Sequence, residues 1–341
     1  MAEKKDSIRI GVIGTGRIGY VHAKNLVQRV QGVEVVCVAD PYVDRATEWL
    51  DELGITERYT DPAKVLNHDK VDAVYICSST DTHADFLVDA AKAGKHIFCE
   101  KPIDLDVEKV KNALEVAKNA GVTLQIGFNR RFDHNFAAVK QAILDNKVGD
   151  LHMIKVTSRD PEPPPAEYVK VSGGIFLDMM IHDLDMVRFL SGSEVKAVSA
   201  AGAVLVDPEI GKAGDIDTAV VTLWLENGAI AVIDISRKAV YGYDQRVEVF
   251  GSAGMARTEN DLPATIEITG VEGSRKEKPL WFFLERYNES FLIESEAFVK
   301  ALREGTTPPV VGIDGLEPMY LAMAAKKSLE EKRVVEISEV R

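Results

Sequence analysis

Asp178 and His182 stand four residues apart in the stretch Gly173-Gly174-Ile175-Phe176-Leu177-Asp178-Met179-Met180-Ile181-His182-Asp183-Leu184-Asp185. Residues 175–190 are apolar on most sides, the mark of a helix that is buried nearly all round. Residues four apart on a helix share a face, so a carboxylate meets an imidazole there, and Asp185 continues that face. A buried charge without a partner is costly, so these groups are paired or line a polar cavity. The chemistry such a pair can perform is proton transfer: the carboxylate fixes the ring's tautomer and stabilises its charged form. Two other readings stay open at this point. The pair could be a satisfied core contact, or His182, Asp183 and Asp185 could ligate a metal. No cysteine lies nearby, and neither His-Glu-x-x-His nor Cys-x-x-Cys occurs, so no metal is expected.

A second chemical pattern lies at the start of the chain. The strand Ile8–Ile13 runs into Gly14-Thr15-Gly16-Arg17-Ile18-Gly19, and residues 20–30 read as a helix. Strand, G-x-G-x-x-G and helix form the dinucleotide fingerprint. Gly14 allows the tight turn, Gly16 the approach of a pyrophosphate, and Gly19 the close packing of helix on strand. The pyrophosphate then meets free N–H groups at the helix N-terminus. A second apolar strand, Val33–Ala39, ends at Asp40, where an acidic residue accepts from the adenosine ribose hydroxyls. Its carboxylate repels a 2′-phosphate, so NAD is expected rather than NADP. Arg45, a turn later, is a group that could serve such a phosphate, and Asp40 could instead be a plain strand-end cap.

The elements that position these groups alternate. Residues 43–53, 82–93 and Val107–Ala120 read as helices, and 71–78, 96–99 and 122–126 as strands, which predicts a doubly wound parallel sheet. Ligands of such sheets bind at the carboxyl ends of the strands. That edge receives Ser78, Ser79 and Thr80, then Glu100-Lys101-Pro102, then Gly127-Phe128-Asn129-Arg130-Arg131. Lys101 is thus delivered to the cofactor's edge, and Pro102 biases it toward extended backbone. The alternative is an ordinary solvated lysine.

Beyond residue 150 the pattern changes to short strands at 151–157, Val195–Ala203, 218–226, 229–236, 246–250 and 255–258. Asn227-Gly228 predicts a type I′ hairpin. This half is expected to be an α+β domain with a large, mostly antiparallel open sheet, with helices at 282–303 and 315–332 and a last strand at 334–337. The expected division is 1–127 and 128–341. The stiff run Pro161-Glu162-Pro163-Pro164-Pro165 could wall a site or simply connect. Val220, Thr222 and Trp224 alternate with Val221, Leu223 and Leu225, so a strand apolar on both faces needs cover on both sides.

Composition excludes several classes. The chain has 341 residues, 46% apolar and 28% charged, which suits about two globular domains. Its net charge of −13 argues against nucleic acid and anionic membranes as partners. Cys37, Cys77 and Cys99 fall in expected buried strands, and an odd count there implies reduced thiols and a cytoplasmic location. Residues 1–7 hold no apolar leader, and no run approaches the ~18 apolar residues of a membrane span.

Gly14-Thr15-Gly16, Glu100-Lys101-Pro102, and Gly173-Gly174 with Asp178 and Ile181-His182-Asp183 appear together. With these markers the chain resembles the Gfo/Idh/MocA oxidoreductases, and within them the NAD-dependent inositol 2-dehydrogenases, over essentially its whole length. Gly127-Phe128-Asn129-Arg130-Arg131-Phe132-Asp133, Ser158-Arg159-Asp160-Pro161 and Tyr241-Gly242-Tyr243-Asp244 support the narrower likeness. The resemblance implies Lys101, Asp178 and His182 as catalytic residues, and Arg130, Asp160 and Tyr243 as contacts of a cyclitol substrate. It also implies a place in inositol catabolism and a homodimer or homotetramer formed through the C-terminal sheet. Some inositol dehydrogenases carry histidine where Ser158 stands, which leaves the preferred isomer open. A scyllo-inositol or pyranose dehydrogenase is the nearer alternative, and a non-catalytic NAD-binding regulator the farther one.

Overall fold

The computed structural model describes residues 7–341. Residues 1–6, on which most of the expectation of no leader rests, lie outside the described residues. Two compact units emerge among the described residues, one comprising 7–132 with 289–316 and the other 133–288 with 317–341. The sequence suggests one cut at 127/128, whereas the chain returns to its first unit late.

The first unit contains six parallel strands: β1 (Ile8–Ile13), β2 (Val33–Ala39), β3 (Glu57–Tyr59), β4 (Ala73–Ile76), β5 (His96–Glu100) and β6 (Leu124–Gly127). Their order is β3-β2-β1-β4-β5-β6, the doubly wound dinucleotide order, with its switch point between β1 and β4. Every residue of β4 is buried, as a central parallel strand covered on both faces must be. The short edge strand β3 has no apolar run and escapes a reading based on periodicity. Residues 289–316 return because helix Asn288–Glu304 places Leu292, Phe298 and Val299 in the same core as Ile10, Val12 and Tyr75. There Tyr75 and Phe98 stack at 4.5 Å, and Phe298 meets both rings edge-on.

The second unit is built on seven strands. These are β7 (Leu151–Arg159), β8 (Val195–Ala203), β9 (Thr218–Leu225), β10 (Ile230–Ser236), β11 (Asp244–Gly251), β12 (Gly254–Arg257) and, after the exposed hairpin of β13 (Glu267–Gly270) and β14 (Gly273–Lys276), β15 (Val335–Glu336). Their order is β12-β11-β7-β10-β9-β8-β15. All pairs are antiparallel except β7 with β10, which run parallel at the centre. The expected type I′ turn is not formed. Among the described residues, only Asn146 and Lys332 have positive φ outside glycine. The β9–β10 loop instead turns through Glu226, Asn227 and Gly228, with Gly228 at φ 89° and Gly228 N–H donating to Leu225 O. This is the three-residue hairpin in which only the last position needs a left-handed residue. The expected helix 282–303 is also divided, into Phe283–Arg286 and Asn288–Glu304.

Alternation along β9 is one-sided. Ala219, Val221, Leu223 and Leu225 are buried, whereas Val220 is 47% exposed. Among the described residues no helix is long and apolar enough to cross a membrane.

Candidate active site

A parallel sheet ends all its strands on one edge, so loops distant in sequence become neighbours there. In the first unit these are the glycine loop after β1, Asp40 after β2, Ser78-Ser79-Thr80 after β4, Glu100-Lys101 at the end of β5, and Arg130 in the turn Asn129–Phe132 after β6. Gly14 has φ +98°, and a Cβ there would lie 2.5 Å from the backbone of Cys77 and Ser78. Gly19 approaches still more closely: its Cβ would stand 2.0 Å from Gly14 O. At Gly16 an added Cβ would meet nothing within 4 Å. Gly16 also caps helix Arg17–Gln28, whose first turn has neither a side-chain cap nor an acidic residue. Uncapped N–H groups beside open space fit the diphosphate of a dinucleotide.

Asp40 is the hinge of this loop. Its Oδ2 accepts from Thr15 N–H at 2.8 Å and its Oδ1 from Tyr42 N–H at 2.7 Å. A carboxylate has further lone pairs, so these bonds orient Asp40 without exhausting it. Arg45 lies over the Tyr42 ring, 4.4 Å from its centroid. The buried ring of His83, which sequence reading passed over, joins two loops of this edge. Its Nδ1 reaches Pro102 O at 2.8 Å and its Nε2 reaches Ser78 O at 3.0 Å. Glu100 turns its side chain inward to His22 Nε2, 2.8 Å away, so only its backbone remains for the cofactor edge.

In the second unit, the predicted continuous helix over 175–190 is interrupted. One helix covers Gly174–Asp178 and the next Ile181–Ser191. Between them Met180 N–H donates to Ile175 O, five residues back, which widens the turn locally. Asp178 ends the first helix and His182 is the second residue of the next, so the four-residue spacing is not that of an unbroken helix. The glycine pair has a local cause: both residues have left-handed backbone, and a Cβ on Gly174 would press to 2.9 Å of Asp215 Oδ1. Asp215 Oδ2 in turn accepts from Ile175 N–H at 2.9 Å.

Asp178 accepts from the Tyr168 hydroxyl at 2.9 Å on Oδ1, and its Oδ2 faces the Arg237 guanidinium at 3.4 Å. Arg237, only 1% exposed, also reaches Asp215 at 3.5 Å. It follows β10, beside the end of the parallel strand β7, where Asp160 donates its N–H to Ser236 O at 3.0 Å. Tyr243, just before β11, is buried, its ring edge-on to Tyr287. Asp178 and Arg237 thus meet directly, and Asp160 is tied to Ser236, the residue before Arg237. Ser158 is wholly buried and donates to Gln245 Oε1 at 3.1 Å. Arg237 and Tyr168 were missed by sequence reading because neither lies in a spaced motif. A lone arginine just past a strand rich in Ile and Val was the only signal.

A dinucleotide edge on one unit and a carboxylate–imidazole segment on the other define an NAD-binding oxidoreductase. The oxidoreductase-family model for the NAD-binding Rossmann fold matches residues 8–128, and the model of the Gfo/Idh/MocA C-terminal domain matches 136–257. The chain belongs to the Gfo/Idh/MocA family. It is 50% identical to the myo-inositol 2-dehydrogenase of Thermotoga maritima, over 98% of this chain and 99% of that one. It is 46% identical to the inositol 2-dehydrogenase of Rhizobium meliloti, over 97% of this chain and the full length of the other. The crystal structure of Lactobacillus casei scyllo-inositol dehydrogenase with bound NAD(H) and scyllo-inositol superimposes with a TM-score of 0.91 at 32% identity, covering 97% of this chain and 99% of that one.

Because a Cβ at Gly16 would meet nothing within 4 Å, Gly16→Val is expected to stay folded and to lose only about 1 kcal/mol of stability, the effect of a poorer N-cap residue. The same variant should weaken NADH binding by at least ~10-fold, measured by the fluorescence of bound NADH, because the diphosphate loses its close approach. Unchanged NADH affinity would show that the dinucleotide does not use this loop.

Proposed function

We propose that the protein is an NAD-dependent inositol 2-dehydrogenase, oxidising a ring secondary alcohol of myo-inositol to the 2-keto inositol. The observation that carries this reading is 50% identity over 98% of the chain with a myo-inositol 2-dehydrogenase. Residues 1–127 are read as the NAD-binding part and 128–341 as the part for substrate and oligomerisation. Gly14 to Ile18, Asp40, Arg45, Ser78 to Thr80, Glu100 and Lys101 would hold the cofactor, which supplies the acceptor for the carbinol hydride.

His182 takes the hydroxyl proton. Its Nδ1 is buried, so Nε2 is the atom assigned to this step. Imidazole is the side-chain base most often used for proton transfer at neutral pH. Asp178, held by Tyr168 and Arg237, supplies negative charge that favours the imidazolium as it forms. Lys101 Nζ is read as the positive charge that stabilises the developing alkoxide. Arg130, Asp160 and Tyr243 are read as contacts of the ring hydroxyls. The Ser158 hydroxyl donates to Gln245, and the choice of isomer is assigned to Ser158, Asp160, Tyr243 and their neighbours. A scyllo-inositol preference is the second reading, supported by the likeness to the Lactobacillus casei enzyme.

Two features support the assembly and location implied by this function. Trp224, Ile230, Met153, Phe250 and Met255 are register partners in succession across five strands of the second sheet. The last four are 38–49% exposed. Such an apolar row suits a homo-oligomer in which a second copy covers the sheet. The three cysteines are buried and free. Burial pushes the Cys37 thiol up to about 12 and those of Cys77 and Cys99 well above the usual range. Inert thiols of this kind suit the cytoplasm.

NADH formation followed by absorbance, with NAD and each of myo-inositol, scyllo-inositol and D-glucose, should show the highest kcat/KM for myo-inositol. Preference for another polyol would reassign the substrate, and no turnover with any would reject the dehydrogenase reading. His182→Ala should lower kcat by at least ~10²-fold, and turnover near wild type would remove His182 from the role of base. Lys101→Ala should also lower kcat; an effect confined to KM would make Lys101 a binding residue only. For the assembly, Phe250→Glu should convert the oligomer to smaller species in light scattering, and a wild-type monomer would contradict this part of the reading.

A further inference from the structure

Behind Lys101, in the interior of the first unit, lies a group of ionisable side chains that the proposed reaction does not use. His22 on helix Arg17–Gln28 and Glu294 on helix Asn288–Glu304 are fully buried, and Glu100, the last residue of β5, is 8% exposed. The aromatic rings of Tyr75, Phe98 and Phe291 surround the imidazole. His22 Nε2 lies 2.8 Å from Glu100 Oε1 and 3.9 Å from Glu294 Oε1. Its Nδ1 lies 3.5 Å from Ser295 Oγ. Neither carboxyl oxygen of Glu294 has a hydrogen-bond partner among the described residues.

Two carboxyl groups therefore face one imidazole, and the imidazole's N–H is committed to Glu100. The titratable groups around Glu294 are His22, Glu100, and Tyr75 and Cys77 of β4; Gln125 of β6 donates only to its backbone oxygen. None of these offers Glu294 a compensating positive charge of its own. An ionised carboxylate with no donor and no counter-charge is among the costliest things a protein interior can hold, and such a group neutralises instead.

We propose that His22, Glu100 and Glu294 form a buried proton-holding cluster, in which Glu294 carries the proton at neutral pH, and that this cluster positions Lys101 from behind. The positioning half rests on the role proposed above for Lys101. Its geometry is direct. The Glu100 carboxyl is clamped to His22 on one side and lies against Gly127 at the end of β6, where an added Cβ would stand 3.0 Å from it. Lys101 is the next residue in the chain, so its backbone starts from a strand end held on two sides. Burial first, and the Glu100 charge second, push the Glu294 carboxyl well above its usual range, in keeping with this assignment.

Glu294→Gln is the test of the proton, because the amide mimics a neutral acid in shape. Wild-type protein at pH 7 should show the infrared carbonyl stretch of a protonated carboxylic acid, and Glu294→Gln should lack it. A raised carboxyl pKa makes the native state bind more protons than the unfolded chain, so stability falls as pH rises above the unfolded value. The melting temperature of wild type should therefore drop relative to Glu294→Gln as pH rises from about 4.3, with the two converging below it. No acid band at pH 7, parallel melting curves, or a divalent metal bound one per chain and lost in Glu294→Gln would overturn the proposal.

For the positioning half, His22→Asn and Glu100→Gln should each lower kcat by about 10- to 100-fold, the cost of slight misplacement, and in His22→Asn, which stands outside the cofactor edge, KM for NAD should stay near wild type. Glu294→Gln should keep kcat near wild type. An unchanged kcat in both His22→Asn and Glu100→Gln would overturn the positioning role. Lys101→Ala, assayed alongside, separates the two levels. If it turns over normally the catalytic reading of Lys101 fails, while the infrared and melting measurements still decide where the proton sits.

Discussion

The first unit depends on one close approach: helix Arg17–Gln28 packs so tightly on the loop before it that a single methylene at Gly19 would stand 2.0 Å from Gly14 O. That distance is possible only for glycine, and it aims the free N–H groups of the helix at the strand ends. Everything else on this edge is referred to the same loop. Gly14 crosses the backbone of Cys77 and Ser78, Asp40 accepts from Thr15, and His22 on the same helix holds Glu100. The glycines, the Asp40 carboxylate and the residue before Lys101 are thus one mechanically connected set, although they span nearly ninety positions of the chain.

In the second unit the corresponding constraint is electrostatic. A guanidinium that is almost wholly buried stands against two carboxylates, Asp178 and Asp215. One positive charge against two negative ones leaves an excess of negative potential, in keeping with the role proposed for His182 as a base that becomes cationic. Asp215 also accepts the N–H of Ile175, so the same acid that shares Arg237 fixes the start of the helix carrying Asp178. The break at Met179 and Met180 follows that helix directly and sets His182 at the opening of a separate one.

The two units use buried charge differently. Around Arg237 the charges are paired, with one guanidinium shared between acids. Around Glu294 the described residues place no Lys or Arg in contact, and protonation is the proposed route to neutrality. Both solutions stand one step behind residues read as catalytic, Asp178 and Lys101.

Much of this was legible in the amino-acid sequence, where local chemistry and chain order suffice. G-x-G-x-x-G between a strand and a helix, an acid after the second strand, and apolar runs alternating with amphipathic ones dictate a parallel sheet with its ligand edge at Asp40, Ser78 and Lys101. Those signals are short-range, and steric and hydrogen-bonding rules act on them residue by residue. What only the tertiary structure decided are the partners brought from far along the chain. Arg237 reaches Asp178 across fifty-nine positions, Glu294 reaches His22 across more than two hundred, and residues 289–316 return to the first core. Short-range rules also missed the parallel pairing of β7 with β10, the extra residue in the β9–β10 turn, and the widened turn at Met180. In each, hydrogen bonding and packing with neighbouring elements outweighed local preference, because a buried backbone or charged group takes whichever partner the whole fold supplies.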